Sequence, residues 1–152
     1  MLFQARSALT SIVFILAVAF GGETPAIADQ PPDYLGEIIV ENVWVTPALA
    51  GGRSILRFRI TNDSRDHIHL LDVQTPVAKA ARIVGRTGGS STTSLESISV
   101  LADSDLDLTT GHIWIELGPL TRAVTPGESI PLELIFVHSR VHVEAHVHSA
   151  NG

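Results

Sequence analysis

The last stretch of the sequence, residues 136–148, alternates between small or apolar side chains and polar ones. A period of two residues belongs to a β-strand with one buried face, because successive side chains of a strand point to opposite sides. The odd positions hold Val137, Ser139, Val141, Val143, Ala145 and Val147, and the even ones His138, Arg140, His142, Glu144, His146 and His148. Four of the seven histidines would therefore share one face with a carboxylate. The pattern predicts either a metal-binding edge or a polar face that is rich in histidine.

Strand signals of the same kind recur through most of the chain. Alternating or β-branched runs predict strands at residues 37–45, 53–60, 67–73, 97–101, 112–117 and 129–136. Prolines, glycines and short polar runs separate them, and the sequence contains neither a convincing helix nor an internal repeat. Residues 77–84 fit either a short helix or a strand. We predict an antiparallel β-sandwich or barrel of seven or eight short strands.

The first 28 residues have the features of a secretory signal peptide. Arg6 provides a positive n-region, residues 8–20 are an apolar run, and residues 26–28 have the small-x-small pattern of a cleavage site. The apolar run is shorter than the roughly 20 residues that span a bilayer, so a retained membrane anchor is the weaker interpretation. The predicted parts are a signal peptide at 1–28, a flexible leader at 29–36, one domain at 37–148 and a tail at 149–152. No membrane span is expected after cleavage.

Composition restricts the chemistry that such a domain offers. The sequence has no cysteine, and its single methionine is Met1, which leaves with the signal peptide. An exported domain of this kind is stabilised by packing alone and has no thiolate ligand or thiol nucleophile. The formal net charge of -6 argues against nucleic acid as a partner, since nucleic-acid binding requires a basic face. No Gly-x-Ser-x-Gly or His-Glu-x-x-His motif occurs, so we do not expect an enzyme.

Five segments follow one another in a distinctive order: VENVWV at 40–45, LRFRITN at 56–62, TPVA at 75–78, GHIWI at 111–115 and PGESIPLELIF at 126–136. In this order and spacing they resemble the periplasmic copper chaperone family of the PCu(A)C type. The resemblance implies a cupredoxin-like β-sandwich of the Greek-key type in the bacterial periplasm. Because members of that family hand copper to the assembly of a respiratory oxidase, the implied partners are a metal ion and an oxidase assembly factor or another periplasmic protein.

The metal motif of that family is degenerate in this sequence. The family motif resembles a histidine, a methionine further along, and then a His-x-Met pair on a later strand. Here His112 has the position of the later histidine, but Trp114 replaces the methionine after it, and no histidine occurs near residues 83–85. A thioether site suited to Cu(I) therefore cannot be built. Of the ligands that the resemblance implies, only His112 remains a candidate.

The C-terminal histidines are the second set of candidate ligands. Some members of the family carry histidine-rich C-terminal extensions, and the end of this chain resembles a short one. Imidazole suits Cu(II) and Zn(II), and a neighbouring carboxylate adds an oxygen ligand. On an extended strand His146 and His148 lie roughly 7 Å apart and His142 and His148 about 20 Å apart, so one ion cannot bind all of them. The predicted ligands, for Cu(II) rather than Cu(I) and with zinc as a second candidate, are His112, His142, Glu144, His146 and His148.

Two hypotheses remain open at this point. In the first, the chain is a periplasmic copper-binding, chaperone-like protein whose C-terminal histidines take over from the Met/His site. In the second, it is a metal-free β-sandwich that serves as a binding or scaffold module after losing the copper site. His67 and His69 form a further same-face pair whose role stays open, and Trp44 and Trp114 are expected to be core anchors.

Overall fold

The structure is a computed structural model that describes residues 38–149 of the chain. The predicted signal peptide, the leader and the tail beyond Ser149 lie outside the described residues, so these predictions stay predictions. The described strands are β1 Ile38–Val45, β2 Ser54–Asn62, β3 Ile68–Gln74, β4 Ala81–Arg86, β5 Thr92–Leu95, β6 Ile98–Val100, β7 Ser104–Asp107, β8 Ile113–Leu117, β9 Ser129–Phe136 and β10 Arg140–Val147. In this part of the chain we find no helix of the length and apolarity that a membrane crossing requires.

The all-β fold class is confirmed, but the number of strands is ten rather than seven or eight. The ambiguous segment at residues 77–84 contributes to strand β4 and not to a helix. β5 and β7 are not among the predicted strands, because neither has the apolar alternation of a half-buried strand. Both are short segments with mostly exposed side chains, and their strand conformation comes from pairing with β4 and β2.

The ten strands form one sheet. Nine of them follow one another in the order β5-β4-β8-β2-β1-β10-β9-β3-β6, and β7 pairs with the end of β2. Among the described strands every pair is antiparallel except β1 with β10, which run parallel. The sheet curls over one core, in which fully buried side chains of β2 meet those of β9 from the other half of the sheet. The core thus joins both halves of a sandwich that is nearly closed as a barrel.

The stretch rich in histidine consists of the end of one strand, a turn and a second strand. Residues 137–139 form the turn, which the Phe136 amide closes by donating to the Ser139 carbonyl over 2.9 Å. β10 therefore runs back along β9, and His138 lies in the turn rather than on the strand face. Along β10 the expected alternation is confirmed, because Ala145 and Val147 are buried while the polar residues between them are exposed.

Both tryptophans lie on the outer face of the sheet. Their neighbours Val45 and Ile115 belong to the hydrophobic core, so the indole rings point the opposite way. Trp114 is buried, as expected of an anchor, but outside the main hydrophobic cluster. Trp44 is only half-buried. The expectation that the tryptophans lie between the two halves of the sheet is therefore wrong.

Candidate metal centre

The parallel pair β1 and β10 borders an open cleft on the outer face of the sheet. The two strands are in register over two residue pairs only, Trp44 with His146 and Val45 with Val147. Beside these pairs lies a cavity of about 840 Å³, which we call the β1–β10 cleft. It is lined by residues 40–44, Thr109, Val143, Glu144, His146 and His148. The cleft lies beside the C-terminal half of β10, which holds His146 and is directly followed by His148.

Three of the five predicted ligands line this cleft: Glu144, His146 and His148. All three side chains are exposed; Glu144 and His146 point outward from β10, and His148 directly follows the strand. Within residues 38–149, no three histidine, aspartate or glutamate side chains already surround a point where they could hold one metal ion. The three side chains therefore share a cleft but have to turn toward one another to bind an ion.

His148 has a hydrogen-bond partner for one of its two ring nitrogens. Its Nδ1 lies 3.1 Å from the backbone oxygen of Ser149. Because a carbonyl oxygen only accepts, Nδ1 must carry the hydrogen, which leaves the lone pair on Nε2. A hydrogen bond of this kind on the second ring nitrogen is also what orients imidazole ligands in metalloproteins. The ring is held further by Trp44, whose indole stacks on it with the centroids 4.5 Å apart.

His146 is oriented by the neighbouring strand on the other side. Its Nδ1 lies 3.0 Å from the hydroxyl oxygen of Ser129 on β9. A hydroxyl both donates and accepts, so this bond does not set the tautomer. When Nδ1 donates to the hydroxyl, Nε2 is the ring nitrogen available to an ion. The two cleft histidines thus use Nδ1 for hydrogen bonds to the protein.

The other two predicted ligands lie apart from the cleft. His142 is opposite Glu133 on β9, and its Nε2 lies 3.8 Å from a carboxylate oxygen of Glu133. Arg140 binds the same oxygen over 3.2 Å, in a neighbouring groove of about 510 Å³ that Glu144 also lines. His112 lies in the loop before β8, and β2 and β1 stand between β8 and β10. The structure therefore brings neither His112 nor His142 into the cleft.

The positions at which the PCu(A)C-type motif is expected do come together, but with other residues. Val84 pairs with Trp114 across β4 and β8, and both side chains are buried. The guanidinium groups of Arg57 and Arg86 lie over the Trp114 ring, 5.8 and 5.7 Å from its centroid. Burial, reinforced by the charge of Arg86, lowers the pKa of Arg57. Two guanidinium groups in this place repel a metal ion, so the expected position is unsuited to copper.

Glu41 is a cleft residue that the sequence analysis missed. It lies three residues before Trp44 on β1, and residues three apart on a regular strand face opposite sides. A β-bulge between them, with Asn42 at a φ of 53°, adds one residue and turns both side chains to the same face. Their partners on β2, Arg59 and Arg57, confirm this because these two residues are themselves two apart. The one available signal was Asn42, since asparagine tolerates a positive φ better than most residues.

The pair His67 and His69 does not have its ring nitrogens free for an ion in the same way. The Ala102 amide donates to Nδ1 of His67 over 2.9 Å, so that nitrogen holds the lone pair and Nε2 of the neutral ring carries the hydrogen. Nδ1 of His69 lies 2.8 Å from the Ser99 hydroxyl. Both histidines line a cavity of about 530 Å³ together with His138 from the β9–β10 turn. Since His67 has no free lone pair, the His-x-His pair does not present two ligands to an ion.

Solved structures of PCuAC domains have the fold described above. The copper-bound PCuAC domain from PmoF2 is 19% identical, with a TM-score of 0.65 over 75% of this chain and 94% of that domain. The apo PCuAC domain from PmoF1 is also 19% identical, with a TM-score of 0.65 over 75% of this chain and 95% of that one. DR1885 from Deinococcus radiodurans, solved with Cu(I), is 23% identical, with a TM-score of 0.58 over 74% of this chain and 79% of that one. The resemblance to the PCu(A)C type is thereby confirmed at the level of the fold.

The family itself follows from the sequence. The model of the LpqE-like family, described as lipoprotein LpqE-like, matches residues 38–147, and the chain belongs to this family. The match covers both strands that border the β1–β10 cleft, up to the last residue of β10. No curated protein shows significant similarity to the chain.

Proposed function

We propose that the chain is an exported copper-binding protein of the chaperone type, and not an enzyme, that binds Cu(II) in the β1–β10 cleft. The ligands are His146 and His148, with Glu144 beside them, and Zn(II) is a second candidate ion. The observation that carries the proposal is that Glu144, His146 and His148 line one cleft, where the contact of His148 Nδ1 with the Ser149 carbonyl favours Nε2 as the nitrogen for an ion. The fold shared with the copper-bound PCuAC domain from PmoF2 supports copper as the cargo.

The donor set favours the divalent ions over Cu(I). Imidazole and carboxylate are ligands of Cu(II) and Zn(II), whereas Cu(I) selects thiolate and thioether groups. The sequence has no cysteine, and Met1 is its single methionine. The three ligands are also exposed on the sheet surface rather than enclosed. An open site of this kind suits an ion that is taken up and passed on to a partner, such as an assembly factor of a respiratory oxidase.

Export to the periplasm is part of the proposal and is supported by the predicted signal peptide at residues 1–28. The family description refers to lipoproteins. A lipid that is linked through sulfur requires a cysteine side chain, and this sequence has none.

The test is a calorimetric titration of the full chain, without a histidine tag, with Cu(II), Zn(II) and Cu(I). We expect about one divalent ion per chain at neutral pH and no binding after the double substitution H146A/H148A. The matched control is H67A/H69A, which removes a histidine pair of the same spacing and should leave the affinity unchanged. Unchanged affinity in H146A/H148A, or an equal loss in both double variants, would contradict the proposal.

The second candidate function is a metal-free binding or scaffold module. It is favoured by Arg57 and Arg86, which cover Trp114 at the place of the expected copper motif. In that case the wild-type chain binds none of the three ions, and none of them changes its melting temperature. A ligand of the native state must raise that temperature, so the titration and a thermal scan together separate the two functions.

A further inference from the structure

We infer that Glu41 completes the ion site, so that a bound ion ties β1 to β10 across the cleft; this inference rests on the proposed function. Glu144 and His146 lie roughly 7 Å apart on β10, and His148 directly follows the last residue of that strand. Ligands in a line approach an ion from one side only, whereas a four-coordinate site is tetrahedral or square-planar. A further ligand therefore has to come from a neighbouring strand.

The strand on the β9 side offers no such ligand. Opposite Glu144 stands Pro131, and opposite His146 stands Ser129, whose hydroxyl is already bonded to that histidine. On the β1 side, Trp44 is opposite His146 and stacks on His148. Of the described residues that line the cleft, Glu41 is the only ionisable side chain that does not come from the C-terminal histidine stretch.

The bulge in β1 is what turns Glu41 toward this cleft. Without the extra residue at Asn42, Glu41 and Trp44 would face opposite sides of the sheet. With it, the carboxylate of Glu41 and the indole of Trp44 both lie on the outer face, on the side of β1 that borders β10. Bulges of this kind commonly re-aim a side chain next to a functional site.

The carboxylate of Glu41 is also available for an ion. Its cross-strand neighbour Arg59 is bound to Asp105 over 2.7 Å. Within the described part of the chain, no arginine, lysine or histidine lies within ion-pair distance of Glu41, whereas Glu133 is bound by Arg140 and approached by His142. Glu41 thus faces the cleft with a negative charge that no direct ion pair neutralises.

A site built in this way acts on the strands that form it. β1 and β10 share only two residue pairs, both downstream of the bulge. An ion bound by Glu41 on one strand and by His146 and His148 on the other adds a connection upstream of these pairs. The amides of β1 before the bulge should therefore open less often when the ion is bound.

The experiment compares E41Q with E133Q in the full chain, by calorimetry with Zn(II) and Cu(II) and by hydrogen exchange with and without Zn(II). Each substitution removes one carboxylate charge and keeps the shape, but Glu133 lies in the neighbouring groove. We expect E41Q to weaken ion binding by about 10–100-fold, the range found when a supporting ligand is lost, and E133Q to change it little. Zn(II) should slow exchange of the amides at residues 38–41 in the wild type but not in E41Q.

The two levels of the proposal fail in different ways. If the wild type binds the ion, E41Q has the same affinity and the β1 amides are not protected, the role of Glu41 is overturned. The proposed function is then kept. Loss of affinity in E144Q but not in E41Q has the same meaning, since it confines the site to β10. A wild-type chain that binds neither ion overturns the proposed function itself. Melting temperatures without metal identify any variant whose fold is affected.

Discussion

His142 and His146 provide the sharpest test of which C-terminal histidines bind an ion. They are the same residue type on the same face of β10, and both are exposed, so alanine removes similar surface at either position. Only His146 lines the β1–β10 cleft. We expect H146A to lose ion binding and H142A to keep it.

The expected difference in ion affinity between H142A and H146A follows from the spacing of residues along the strand. Four residues of a strand separate the two Cα atoms by about 14 Å, and side chains stand roughly perpendicular to the sheet. Two imidazole nitrogens on one ion lie no more than roughly 4.2 Å apart, given metal–nitrogen distances of about 2.0–2.1 Å. While both residues stay on β10, His142 therefore cannot share the ion of His146. His148, in contrast, follows the last residue of the strand and is not held at that spacing from Glu144. The loss of a group that supports a ligand weakens metal affinity by about 10–100-fold, or ~1.4–2.7 kcal/mol, and the loss of a direct ligand should weaken it at least as much.

The loss of ion affinity can be measured by thermal unfolding. At a free ion concentration of about 100 times the wild-type Kd, binding stabilises the native state by ~2.7 kcal/mol. A variant with 100-fold weaker affinity gains only ~0.4 kcal/mol at the same concentration. For a domain of about 110 residues these values correspond to increases in Tm of roughly 10 °C and 2 °C. H142A should behave like the wild type, and an equal reduction in H142A and H146A would refute the geometric reasoning.

Three further predictions concern stability. Burial on its own raises the pKa of Glu116, but hydrogen bonds and charge, chiefly from Arg82, outweigh burial and hold the pKa below 4.5. E116Q should therefore lower the free energy of unfolding by up to ~1 kcal/mol at neutral pH, and by nothing once acid has protonated the wild-type carboxyl. Denaturant titrations at several pH values measure this difference. The buried amide of Asn62 donates to three backbone carbonyls, so N62A should lose roughly 2–4 kcal/mol in urea unfolding, and a loss below ~1 kcal/mol would contradict this. A Cβ at Gly118 would lie 2.9 Å from the Gly52 carbonyl oxygen, so G118A should lower the free energy of unfolding by about 1–3 kcal/mol.

The alternation of side chains along single strands could be predicted from the sequence, because it depends on local geometry. The buried and outward positions of β10 were predicted correctly. Glu144, His146 and His148 line one cleft, and their role as ligands stays a prediction. The exclusion of His142 from their site also follows from the rise per residue of a strand. Strands β5 and β7 could not be predicted, because they have no apolar face and depend on partner strands for their conformation.

Which strands become neighbours is a non-local property, and the second half of the candidate site depends on it. No periodicity in β1 or β10 indicates that these two strands pair in parallel. Glu41 is brought to the cleft by that pairing together with the bulge at Asn42, so the residue pattern alone gave no reason to select it. The outward direction of Trp114 was missed for a related reason, since Arg57 and Arg86 shield the ring from two different strands.

The place of β10 in the sheet has a consequence for the order of folding. β10 is the last strand of the described chain, yet it lies inside the sheet between β1 and β9. Until residues 140–147 pair, β1 and β9 both present open edges, which are templates for aggregation. Pairing the last strand with the first closes the longest loop of the domain, a slow step in proteins with such non-local contacts. Because His146 lies on this strand and His148 directly follows it, a partly folded chain lacks the cleft, and the proposed ion site exists in the completed sheet alone.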